Sequence, residues 1–159
     1  AVGLWQVLPI KWIREENLHI TLVFLGFVSD DTLAEMCENV KKAVENRAIF
    51  DLEFTEITLA PDNINPKRVW LKGKESEDSR LLQENIEKKL GIFVNSKKSF
   101  SPHITLGRIR AHKWEALEDK PEIFAKFPLL VEVTSIEVVA SNFGDDGPEY
   151  TVIESCPLI

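Results

Sequence analysis

Two apolar periods run along the chain, and each predicts a different kind of element. Leu18 to Phe27 (LHITLVFLGF) is rich in β-branched and aromatic residues and is expected to form a buried strand. Leu33, Met36, Cys37, Val40 and Val44 then recur at helical spacing. Ser29 precedes them as an N-cap, and Asp30 and Asp31 set acids where the helix dipole favours them. This predicts a helix over Asp30 to Asn46. Phe50 to Leu59 alternates with the period of a strand, and Arg68 to Lys72 reads as another after a loop marked by Pro61, Asn63, Asn65 and Pro66. A second helix is capped by Ser76, carries Leu81, Leu82, Ile86 and Leu90, and stops at Gly91. Lys97 to Pro102 reads as a loop entering a strand over His103 to Ile109. Trp12 to Arg14 is short and extended, and Lys113 to Leu117 makes one helical turn or two. Leu129 to Ala140 and Tyr150 to Glu154 are strands, with a turn at Gly144 to Pro148. Strands, helix, strands, helix, strands is the order of an α+β fold with largely antiparallel sheets.

Within this pattern one tetrapeptide occurs twice. His19-Ile20-Thr21-Leu22 returns unchanged as His103-Ile104-Thr105-Leu106. Average composition makes such a recurrence a roughly one-in-a-thousand event or rarer. Each copy lies in a predicted strand beside a strand–helix unit. That suggests a pseudo-two-fold internal duplication, in which two similar lobes each give one strand to a shared cleft. On a strand, residues i and i+2 share a face. His19 and Thr21 therefore project together, as do His103 and Thr105, while the Ile and Leu between them point into the core.

Two imidazoles, each beside a hydroxyl, make a coherent set for phosphate chemistry. Histidine has a reference pKa near 6.5, so one ring can be neutral while the other is protonated. The neutral ring takes a proton from water, the protonated ring gives one to a leaving oxygen, and each transfer is worth about 10²–10⁴-fold in rate. The Thr21 and Thr105 hydroxyls can donate to non-bridging phosphate oxygens. A single His-x-Thr on a strand is usually structural; the duplication is what argues for chemistry. A zinc site is the other use of paired histidines, but it needs further ligands, and no tight ligand spacing occurs. His112 sits in a polar stretch and reads as surface. Trp70, Phe24 and Phe100 suit core packing, with base stacking as the alternative.

Composition narrows the partner. The net charge is −7, whereas proteins that grip long nucleic acid by its backbone carry excess Lys and Arg. An RNA substrate would therefore be held at an end, in a locally basic cleft. Lys11, Arg14, Arg68, Lys72, Lys97, Lys98, Arg108 and Arg110 are the candidates, most of them ordinary solvated charges and Arg108 the exception. Cys37 and Cys156 offer neither a metal spacing nor a disulfide framework and read as reduced thiols of a cytoplasmic protein. No apolar run reaches the roughly 18 residues of a membrane span. The start of the chain, without an initiator Met, reads as interior sequence.

The two motif blocks carry a resemblance. Glu16-Asn17-Leu18-His19-Ile20-Thr21-Leu22 with Phe24-Leu25-Gly26, and Phe100-Ser101-Pro102-His103-Ile104-Thr105-Leu106-Gly107-Arg108, resemble the two blocks of the two-histidine (2H) phosphoesterases. They are closest to the RNA 2',3'-cyclic phosphodiesterases of bacteria and archaea, also called the 2'-5' RNA ligase family. Arg68-Val69-Trp70-Leu71 resembles the strand between the blocks. The resemblance implies a single bilobal domain over residues 1–159, two antiparallel sheets facing across a central cleft, and helices outside. It implies hydrolysis of 2',3'-cyclic phosphate ends of RNA, tRNA halves among them, to 2'-phosphates, without metal or other cofactor. Some members also join or split 2'-5' linkages. It further implies that His103 is the base, His19 the acid, and Arg108 the phosphate's charge partner. From strand parity alone, Arg108 points away from the His103 face; a turn or bulge at Gly107 would re-aim it. Members begin with a strand and helix before the first block, which are expected to be missing here, leaving a sheet edge bare. The other readings are a phosphodiesterase of small cyclic nucleotides or 2'-5' oligonucleotides, and a non-catalytic RNA-binding module. A monomer is the expected state.

Overall fold

The second copy of the tetrapeptide opens a strand, as predicted, and that strand sits between two others in the larger sheet. The computed structural model describes residues 2–92, 100–145 and 147–159; Lys97 and Lys98 lie outside the described residues. In chain order the strands are β1 (Ile10–Trp12), β2 (Phe50–Ala60), β3 (Arg68–Gly73), β4 (His103–Ile109), β5 (Phe124–Val133), β6 (Ser135–Gly144) and β7 (Gly147–Pro157). The helices are α1 (Asp30–Val44), α2 (Glu77–Leu90) and α3 (Ala111–Glu115). One sheet runs β1-β4-β3-β2-β5 and the other is the hairpin β6-β7. The pairs β1/β4, β2/β3, β3/β4 and β6/β7 are all antiparallel. The α+β class with antiparallel sheets is therefore the one the chain adopts.

The chain divides into two compact units. One comprises Ala1–Thr21, Glu53–Lys74 and Ser101–Leu130, the other Leu22–Leu52, Glu75–Phe100 and Val131–Ile159. The first is built on the larger sheet, whose inner face buries Ile10, Ile57, Leu59, Val69 and Leu71. Pro128 lies in β5, an edge strand, where a residue without an N–H does not break a ladder on both sides. The second unit's core joins Cys37, Val40, Ala43 and Val44 of α1 to Leu82 and Ile86 of α2, Val138 of β6, and Cys156 and Leu158. Its helices obey their sequence signals. α1 starts after Ser29, although the Ser29 hydroxyl meets the Thr32 hydroxyl at 3.2 Å and caps no helix N–H. The Ser76 side chain accepts from the Ser79 N–H at 3.2 Å, and Gly91 closes α2 at φ 67°. Both cysteines are free and buried, and burial pushes both thiols up, away from the reactive thiolate. No helix among the described residues is long and apolar enough to cross a membrane.

Three expectations are corrected. Leu18 to Phe27 is not a strand: among the described residues its one ladder pairing is a bridge between Ile20 and Ile104. The outer edge of β4 explains this. β1 occupies it from Gly107 to Ile109, and the Ile13 N–H donates to the Leu106 carbonyl at 2.8 Å. Beyond Thr21 the Leu22 carbonyl accepts instead from Gln83 Nε2 at 2.8 Å, and Leu22 and Val23 pack into the second core. Phe24, read as core, is 85% exposed. Second, the apolar run Leu129 to Ala140 is two strands, parted at Thr134, because β5 belongs to the larger sheet and β6 to the hairpin. Third, the two tetrapeptides do not lie one in each lobe. His19 to Thr21 and the whole of the second copy belong to the first unit, where Ile20 docks on the strand that begins with His103.

Candidate active site

The register of β4 decides which side chains share its exposed face. Lys72 is opposite His103, Leu71 opposite Ile104, and Trp70 opposite Thr105. Cross-strand partners point to the same side of a sheet. The pairing then skips Leu106: Val69 is opposite Gly107 and Arg68 opposite Arg108. This extra residue is a β-bulge, and it inverts the alternation beyond it. Arg108 thus joins His103 and Thr105 on the exposed face, where plain parity would turn it into the core. Lys11 pairs with Arg108 from β1, and Glu56 and Thr58 flank Lys72 and Trp70 from β2. Lys11, Arg68, Lys72 and Arg108 are all exposed, while Ile10, Val69, Leu71 and Gly107 on the opposite face are buried.

The bridge between Ile20 and Ile104 brings in the first motif. Antiparallel alternation about that pair sets His19 across from Thr105 and Thr21 across from His103, on the face away from the two isoleucines. The two histidines become diagonal neighbours, a relation that places Cα atoms about 7–8 Å apart. His19 and Thr21 are exposed, and His103 and Thr105 are half-buried. Each ring is tied to the backbone two residues upstream. His19 Nδ1–H donates to the Asn17 carbonyl at 2.8 Å, and His103 bonds to the Ser101 backbone. For His19 this bond places a proton on Nδ1.

His103 is further held by Trp70. Their rings stack with centroids 3.9 Å apart and planes 17° from parallel. The His103 ring is pulled below the usual histidine pKa, first by burial, next by the charge of Arg68, and also by the charge of His19. The Ser101 bond opposes this shift in part. His103 is therefore the ring favoured neutral, and a charge on His19 favours it further. That is the electrostatic arrangement an acid–base pair needs.

All five residues singled out from the sequence, His19, Thr21, His103, Thr105 and Arg108, fall in this one unit and converge on one face of its sheet. His112 is exposed on α3. Among the described residues no three His, Cys, Asp or Glu side chains gather to hold a metal ion. Two further residues belong to the site. Arg68 reads from the sequence as a solvated charge and Trp70 as core or base-stacking, yet both act on His103. The available signal is the run Arg68-Val69-Trp70, whose alternation places the two on one face.

The chain belongs to the 2'-5' RNA ligase superfamily, whose family model matches residues 6–145. An RNA 2',3'-cyclic phosphodiesterase of Aeropyrum pernix is 31% identical over 150 residues, 91% of this chain and 84% of that protein. One of Aquifex aeolicus is 28% identical over 152 residues, covering 91% and 79%. Among solved structures, TT0787 of Thermus thermophilus superposes with a TM-score of 0.80 at 22% identity, over 98% of this chain and 86% of that one. E. coli LigT in complex with phosphate gives 0.67 at 24%, over 93% and 79%.

Proposed function

We propose that this protein hydrolyses 2',3'-cyclic phosphate ends of RNA to 2'-phosphates, by acid–base catalysis that requires no metal. The observation that most supports this reading is the bridge between Ile20 and Ile104, the residues that follow His19 and His103 in the two motifs. His103, favoured neutral, takes a proton from water as its oxygen bonds to phosphorus. The P–O3' bond breaks, and His19 gives its Nε2 proton to the departing O3'. Thr21 and Thr105 donate to the non-bridging oxygens, and Arg108 offsets their charge. With a 5'-hydroxyl in place of water, the same two transfers form a 2'-5' linkage. The names and likeness of the relatives in Aeropyrum and Aquifex support an RNA substrate.

The test is incubation with EDTA and an oligonucleotide bearing a 2',3'-cyclic phosphate, beside adenosine 2',3'-cyclic phosphate. The expected result is quantitative conversion of the oligonucleotide to its 2'-phosphate. A 3'-phosphate product would contradict the assigned leaving group, and loss of turnover in EDTA would contradict the metal-free mechanism. Preference for the mononucleotide would make the protein a small-nucleotide phosphodiesterase, and binding without turnover an RNA-binding module.

A further inference from the structure

The exposed face carries more positive charge than the reacting phosphate needs. Lys11 on β1, Arg108 on β4 and Arg68 on β3 are partners in register, so they form one row across three adjacent strands. All three are exposed, and none makes an ion pair among the described residues. Like charges directly opposite one another destabilise a sheet. An acidic protein of net charge −7 has acids enough to interleave with these cations, yet the bulge at Leu106 brings Arg108 between the other two. Sequence features that work against the fold mark function more often than chance. The row spans about 10 Å across the strands and lies about 7 Å along β3 from Trp70 and Thr105. Arg108, at the centre of the row, serves the reacting phosphate, and Lys11 and Arg68 stand about 5 Å further out on either side of it.

We infer that Lys11 and Arg68, on either side of Arg108, bind the phosphate 5' to the terminal nucleotide, so that the site selects an oligonucleotide end over a free cyclic mononucleotide. This rests on the function proposed above. The row belongs to RNA rather than to an acidic protein because it is continuous with the face on which the histidines act. The charge of Arg68 is felt at the His103 ring, which ties the row to that site.

The experiment compares kcat/KM for a tetranucleotide ending in a 2',3'-cyclic phosphate with that for adenosine 2',3'-cyclic phosphate, which has no upstream phosphate. Lys11→Gln and Arg68→Gln are each expected to lower the ratio of the two by about fivefold or more. Each should also make the log–log salt dependence of tetranucleotide binding shallower, by about 0.7 for every phosphate no longer neutralised. Thermal stability of both variants should equal or exceed that of the wild type, since a repulsion is removed. An unchanged ratio, or an equal loss on both substrates, would overturn the inference. Binding of a fluorescein-labelled tetranucleotide ending in 2'-phosphate separates this from the reaction itself. If the wild type turned over neither substrate, the proposed reaction would fail. Weaker binding by the two variants would still uphold the row, and unchanged binding would overturn it.

Discussion

Replacing either His103 or His19 with alanine is expected to lower turnover of a 2',3'-cyclic phosphate end by about 10²–10⁴-fold, the usual worth of one positioned proton transfer. The two losses should differ in their pH dependence. His103 is held below the usual histidine range by burial and by the charges of Arg68 and His19. As the base it must be neutral, so wild-type activity falls only as pH drops through that lowered value. The acidic limb of the profile therefore lies below the reference value of about 6.5. His103→Ala should abolish this limb and keep the basic one. His19→Ala should abolish the basic limb, because the acid must be protonated. Circular dichroism and steady-state pH–rate profiles check this. Retention of more than about a tenth of activity by either variant, or identical profiles for both, would refute the division of roles.

Gly107→Val is expected to cost about 1–3 kcal/mol of stability, the range of overpacked sites. A Cβ at Gly107 would stand 2.7 Å from Ile10 Cγ2, 3.1 Å from Trp12 Cε3 and 3.3 Å from the Lys11 carbonyl. The Ile10 methyl is branched at Cβ and has no free end to swing aside, and a backbone oxygen moves only with its strand. β1 would have to lift from β4, taking Lys11 out of register with Arg108. The same residue follows the bulge that aims Arg108, so the variant should lose activity as well as stability. Urea unfolding measures the first effect. A midpoint matching that of the wild type would show that β1 does not hold the edge of β4 as described.

The two long helices were legible in the sequence, whereas the short α3 lies two residues earlier than expected and the 3-10 turns at Val2–Val7 and Glu15–Asn17 were not read. Ser76 and Gly91 mark the ends of α2 because caps act on their own neighbours, and the stripe of α1 from Leu33 to Val44 is local in the same sense. Misread segments depended on distant partners. Leu18 to Phe27 has a strand's composition, but the Leu22 carbonyl goes to Gln83 and the edge of β4 is already taken by β1. Thr134 parts two strands because they join different sheets, which no apolar run reveals. In the site, the repeated tetrapeptide pointed to the histidines and threonines directly. The orientation of Arg108 needed the bulge at Leu106, for which Gly107 was only a hint. Arg68 gained meaning from its register with Arg108 and its field at His103.

The central claim is that two imidazoles act on one phosphate, and the side-chain nitrogens of the protein's three histidines can test it. Titrating the protein with a tetranucleotide ending in 2'-phosphate, followed by long-range proton–nitrogen NMR, should shift the rings of His19 and His103 together. Both should follow one midpoint and saturate at one equivalent, while exposed His112 stays still. Movement of only one of the two rings, or two separate midpoints, would contradict a shared phosphate.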